Sequence, residues 1–158
     1  MHFIAIPEQL KVTKEFFDRS TRALTEEDSN FKAYPDAFTV AQQVAHTAQT
    51  IDWFFEGAFR PECFDMDFEK ATQEILAITS LTKAREMLDA SFAKAIETAK
   101  SKTDAEWAAC LPPNPIMGEL PRFVIVGSLV DHTAHHRGAL TVYTRLLGKI
   151  PPMPYADM

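Results

Sequence analysis

Apolar residues recur with helical spacing in four long segments of this chain, and prolines interrupt the pattern between and beyond them. Leu10, Phe17 and Leu24 follow one another at seven-residue intervals. They predict a first helix from about Pro7 to Leu24, with Pro7 in the opening turn, where a missing N–H costs nothing. A second helix is predicted from Thr39 to about Gly57. Thr39-Val-Ala-Gln42 has the form of a capping box, and Val40, Val44, Thr47, Ile51, Phe54 and Ala58 form the apolar stripe behind it. A third, from about Ser80 to Lys100, sets Leu81, Ala84, Leu88, Phe92, Ala95 and Ala99 on one side and charges opposite. The fourth opens at Pro121 and closes near Gly148, with Pro151, Pro152 and Pro154 preventing its continuation.

The connections differ in length and character. Between the second and third helices lies a stretch with Pro61, Cys63 and a short helix predicted from about Phe68 to Ile78. Between the third and fourth, CLPPNPIMGELP holds too much proline for a regular element. Four long helices with unequal links predict an all-α fold, a four-helix bundle with at least one crossover connection. The 158 residues, 46% of them hydrophobic, fit a single domain spanning 1–158 with one core.

Charge narrows the partners. The net charge of −6, with no Lys/Arg run, argues against a nucleic-acid partner, because that affinity comes largely from neutralised phosphates. No window reaches the ~20 apolar residues of a membrane helix, and no secretory leader opens the chain, so the expectation is a soluble, cytoplasmic protein without a membrane partner. Cys63 and Cys110 lack CxxC spacing and read as free thiols of a reducing compartment.

Three of the five histidines fall within DHTAHHRGAL, residues 131–140. At about 100° per residue, His132 and His136 share the apolar side of the fourth helix with Ile125, Leu129, Tyr143 and Leu147. His135 falls on the other flank, near Val124, Ser128 and Val142. Periodicity favours His136 as the partner of His132, but spacing alone leaves His135 open. His46, on the second helix, lies off the main stripe on the side of Gln42, Gln49 and Trp53. A lone histidine in an apolar pattern is ordinarily a hydrogen-bonded core residue. Two stacked imidazoles must satisfy two ring nitrogens each away from water, and a shared cation with acceptors behind it does so for both. His2, near the terminus, is assigned no role.

Two common metal chemistries do not fit. HTAHH has the histidine spacing of HExxH, but Thr133 occupies the place of the general-base glutamate. A di-iron carboxylate bundle needs Glu-x-x-His, whereas Gln43, Leu129, His132 and Thr133 stand three residues before the four candidates.

With VAHTAQ around His46 and HTAHHRG on the last long helix, the chain resembles the DinB/YfiT-like family of metal-dependent bundle proteins across essentially its whole length. The resemblance implies that His46, His132 and His136 are the metal ligands, which decides between His136 and His135. Ala139 stands where members often have Gln after the Arg-Gly, a departure that leaves the triad untouched. The resemblance also implies a homodimer and a divalent cation, zinc or nickel first, with manganese or iron as further candidates. Characterised members include S-transferases and an isomerase that use small thiols.

Three neutral imidazoles leave a coordination position open, the mark of a catalytic rather than a structural site. The expected function is therefore a transferase or hydrolase in which the cation activates a nucleophile, a low-molecular-weight thiol first or water, against a small-molecule substrate. Asp131 and His135 are candidates to orient an imidazole or shuttle a proton. Trp53 and Tyr143 are candidate substrate contacts, although aromatics at helical spacing commonly belong to the core. Arg137, on the far side of the helix, reads as a solvated or inter-subunit charge. The rival expectation is a non-catalytic bundle, cross-braced by its ion and acting in stress response or interaction.

Overall fold

A computed structural model describes residues 5–156, so His2 lies outside the described residues. Six helices follow in order: α1 (Ala5–Thr21), α2 (Val40–Phe59), α3 (Phe68–Leu76), α4 (Leu81–Ser101), α5 (Asp104–Ala108) and α6 (Val124–Leu146). The four long ones form a bundle in which α4 lies between α1 and α2, and α6 closes the other side between the same two. α1 thus stands diagonally opposite α2, and α4 opposite α6. Both the 22–39 and the 102–123 links must therefore cross an end of the bundle, giving two crossovers. The arrangement is all-helical, and the described residues hold a single isolated β-bridge, Cys110 to Pro121.

Local chemistry sets the helix ends. At α2, the Gln42 N–H donates to Thr39 Oγ1 at 3.3 Å while the Thr39 N–H donates to Gln42 Oε1 at 2.9 Å, completing the expected box. Ser80 Oγ accepts from the Lys83 N–H at the start of α4, at 3.2 Å. α1 stops three residues before the predicted Leu24, because the chain tightens into a turn that brings the Leu24 N–H to the Thr21 carbonyl at 3.0 Å. Leu24 still reaches the core from that turn.

α6 begins at Val124, later than Pro121, because the 121–123 segment is tied backwards: the Arg122 N–H donates to the Ala109 carbonyl at 3.0 Å. It ends as the sequence predicts. Gly148 takes φ +74°, open to a residue without a Cβ, so that its N–H reaches the Arg145 carbonyl at 2.9 Å and the Lys149 N–H reaches that of Thr144 at 3.0 Å.

α5 lies in a stretch where no element was expected. Its signal is Thr103-Asp-Ala-Glu106, another capping box, in which the Thr103 N–H donates to Glu106 Oε2 at 2.8 Å and the Glu106 N–H to Thr103 Oγ1 at 3.2 Å. This one turn buries Trp107 edge-on against Phe59 and Phe55, with centroids 5.1 and 6.1 Å away. The bundle interior is filled by Leu10 and Phe17 from α1, Leu88 and Phe92 from α4, and Ile125, Leu129 and Leu140 from α6. Cys63 is buried, Cys110 is exposed, and both are free thiols. No helix among the described residues is long and apolar enough to cross a membrane.

Candidate metal centre

Because α2 and α6 are neighbours, the side of α2 that carries His46 is brought against the stacked pair on α6. His46, His132 and His136 each offer one ring nitrogen, and the three nitrogens lie within 4.8 Å of one another. The His46 ring centroid is 5.1 Å from that of His132 and 4.9 Å from that of His136. The Nε2 atoms of His132 and His136 stand 3.2 Å apart. Two nitrogens bound to one tetrahedral zinc at its usual bond length lie about 3.3 Å apart, so this pair has the spacing of two ligands on one ion.

The electrostatics match that chemistry. Burial holds the His136 imidazolium pKa down to about 3 and that of His132 to about 4, with the neighbouring imidazoles adding to each effect. Burial also lowers His46. All three rings are therefore neutral at neutral pH, with lone pairs to offer. The tautomer of His136 is set from behind. Gln43, one turn before His46 and itself buried, presents Oε1 to His136 Nδ1. An amide oxygen can only accept, so Nδ1 carries the proton and Nε2 keeps the lone pair that faces His132. Gln43 was missed as a site residue, although a polar amide at a buried position one turn from His46 was the available signal.

The other candidates divide. His135 is exposed, 5.0 Å ring to ring from His136, and stands outside the converging group. Asp131 is exposed as well and makes no hydrogen bond to an imidazole among the described residues. It acts on His132 through charge, opposing the effect of burial. Trp53 Nε1 donates to the Asp65 carbonyl at 2.7 Å, and its ring lies 4.5 Å from Phe64. Tyr143 is not a cavity residue. It is 5% exposed and stacked edge-on with Phe31, and its hydroxyl donates to the Phe38 carbonyl at 3.0 Å, so the substrate contact expected of it gives way to a place in the core. Arg137 lies over Phe16 and Tyr155, at 5.8 and 6.0 Å from the centroids, and so joins α1 to the C-terminal segment of its own chain.

His46 and His132 open onto a cavity of about 680 Å³, which Trp53 also lines, while His136 lies behind them. α3 forms one wall, fastened to α2 by side chains that donate to its backbone. Gln49 Nε2 reaches the Ala71 carbonyl at 3.0 Å and Gln42 Nε2 that of Leu76 at 3.1 Å. The arrangement is a cluster of neutral nitrogen donors at the base of a cleft large enough for a small molecule.

Residues 8–158 match the family model described as "DinB family". Among solved structures the chain is similar to YfiT from Bacillus subtilis, described as a probable metal-dependent hydrolase with an unusual four-helix bundle topology. The TM-score is 0.70 at 17% identity, covering 91% of this chain and 88% of that one. It is similar also to a conserved protein from Enterococcus faecalis, with TM-score 0.68 and 17% identity over 94% and 99% of the two chains. No curated protein matches the chain by sequence.

Proposed function

The chain belongs to the DinB family, and from that premise we propose that it is a divalent-cation-dependent enzyme whose ion is held by His46, His132 and His136. The observation that carries this reading is the convergence of three nitrogen donors, within 4.8 Å, at the base of a cavity that two of them line. When bound, the cation supplies Lewis acidity, bringing a nucleophile at its open position into its reactive form near neutral pH. Gln43 holds the His136 ring in the tautomer that points Nε2 inward. His135 and Asp131 stand at the rim, where they can accept a proton from an incoming nucleophile. Trp53 and Phe68 line the cavity with aromatic surface.

The reaction is transfer of a small thiol to an electrophile, or hydrolysis of a small molecule. The description of YfiT as a probable metal-dependent hydrolase supports the second option. Imidazole suits zinc, nickel and iron alike, and it is the family resemblance that puts zinc or nickel first, with manganese or iron behind. A cytoplasmic homodimer completes the reading. The test is turnover: protein loaded in turn with zinc, nickel, manganese or iron is assayed with small thiols and electrophiles, and with hydrolysable esters and amides. A metal-dependent rate that His132→Ala abolishes is expected. Stoichiometric metal without any rate across that panel would favour a non-catalytic, ion-braced bundle.

A further inference from the structure

The cavity above the triad carries a charge pattern that metal binding alone does not use. Its lining includes six carboxylates, Asp52, Glu56, Asp65, Asp67, Glu74 and Asp131, against the two cations Arg60 and Lys70. Most of the carboxylates have work elsewhere. Asp52 accepts from Ser91 Oγ at 2.7 Å, and Lys94 stands 3.7 Å from Asp52 and 2.7 Å from Glu56. Asp65 accepts from the Asp67 N–H, and Asp67 from the Lys70 N–H at the start of α3, both at 3.0 Å. Of the cations, Arg60 is drawn to the Cys63 carbonyl through Nε. Glu74 has one long contact, from Gln49 Nε2 at 3.5 Å. Asp131 has neither a hydrogen bond nor an ion pair among the described residues, and it immediately precedes the ligand His132.

Between the charges the lining is mixed, with Gln49, Thr50, Thr72 and Ser128 as polar members and a group of aromatic rings. Phe38, Trp53, Phe54 and Phe68 all border the cavity, and Phe68 is left 50% exposed. An indole beside carboxylates is the usual surface for an organic cation, which gains from the ring face and from the negative charge together. The three imidazoles bring no negative charge to the base of the site, so anionic character is confined to the walls and rim.

Resting on the metal reading for its polar end, we propose that the cavity takes a small amine: a molecule with a cationic ammonium group, an apolar or aromatic body, and a neutral or anionic donor group. The ammonium group lies against Asp131 and its neighbouring carboxylates, the body against Trp53 and Phe68, and the donor group toward the imidazoles. Small polyanions, including thiols that carry several carboxylates, are excluded by the same walls.

The test uses the full chain freed of metal, with the metal content checked by elemental analysis, and two probes that share a phenylethyl body and carry opposite charge. Phenethylamine and 3-phenylpropionate are titrated calorimetrically. The amine should bind about tenfold or more tightly than the acid, because the excess of wall carboxylates over the two cations attracts one and repels the other, and the gap should narrow as salt rises. Asp131→Asn should weaken the amine about threefold or more without weakening the acid. Equal binding, or preference for the acid, overturns the proposal. So does unchanged amine affinity in both Asp131→Asn and Glu74→Gln. An amine preference in a protein that takes up no stoichiometric metal would uphold the cavity inference while sinking the metal reading.

Discussion

α2 meets two neighbours in opposite ways. Against α4 the contact is the most extensive in the bundle, and the inward face of α4 carries Leu88, Phe92 and the small residues Ala84, Ala95 and Ala99, all buried. Among the described residues, polar links at that seam are confined to Asp52, Ser91, Glu56 and Lys94. Against α6 the same helix contributes Gln43 and His46 to a polar cluster completed by His132 and His136. One seam buries hydrocarbon and keeps its charges at the edge. The other places hydrogen-bonding groups where hydrocarbon would stabilise the fold more, which is the expected signature of a site maintained for chemistry. The larger hydrocarbon contact and the candidate site are thus carried on different sides of a single helix.

Removing a ligand should separate the two seams most sharply. At a metal concentration about a thousandfold above Kd, ion binding to the folded state adds roughly 4 kcal/mol of stability. His132→Ala and His136→Ala should each lose stoichiometric metal and with it the whole metal-dependent rise in Tm, while His135→Ala keeps both. Elemental analysis and thermal melts with and without metal check this, and the opposite order among the three variants would break the ligand assignment. On the other seam, Leu88→Ala should cost about 3 kcal/mol through lost burial and a residual cavity. Its folded fraction should still bind one ion per chain. A Leu88→Ala protein that is folded but has lost the metal would show that the seams are coupled.

The two seams also differed in how far they could be read from sequence. The α4 side was legible because every third or fourth residue repeats one instruction, and burial of Leu81, Ala84, Leu88, Phe92, Ala95 and Ala99 follows it without exception. On the α6 side, one turn between His132 and His136 was enough to stack them. His46 needed a family resemblance, because it sits off its helix's main stripe and periodicity does not say which neighbour that side meets. The second crossover was hidden for the same reason: the order of helices around a bundle is a tertiary choice. α5 escaped because five residues carry too little periodicity, although its capping box was present in the sequence. Tyr143 shares the face of His132 and His136 but lies nearly two turns further on, where a backbone carbonyl at Phe38 captures its hydroxyl.

Gln43 provides the finest division of the polar seam, since it touches a candidate ligand without being one. In Gln43→Leu the side chain keeps its approximate volume, so the packing between α2 and α6 should survive, but His136 Nδ1 loses its acceptor. The ring is then free to take the other tautomer, with its proton on Nε2 and its lone pair turned away from His132. Metal affinity should fall by about 10- to 100-fold, the usual effect of removing the partner behind a ligating imidazole. Gln43→Glu keeps an oxygen acceptor and should retain or strengthen binding, since a carboxylate makes the ring more basic. Competition against a chelator of known affinity gives the magnitudes, and nitrogen-15 spectra of the metal-free protein show which His136 nitrogen carries the proton. A leucine variant with unchanged affinity and the proton still on Nδ1 would mean that the fold alone orients the ring, and that Gln43 belongs with the packing residues of the opposite seam.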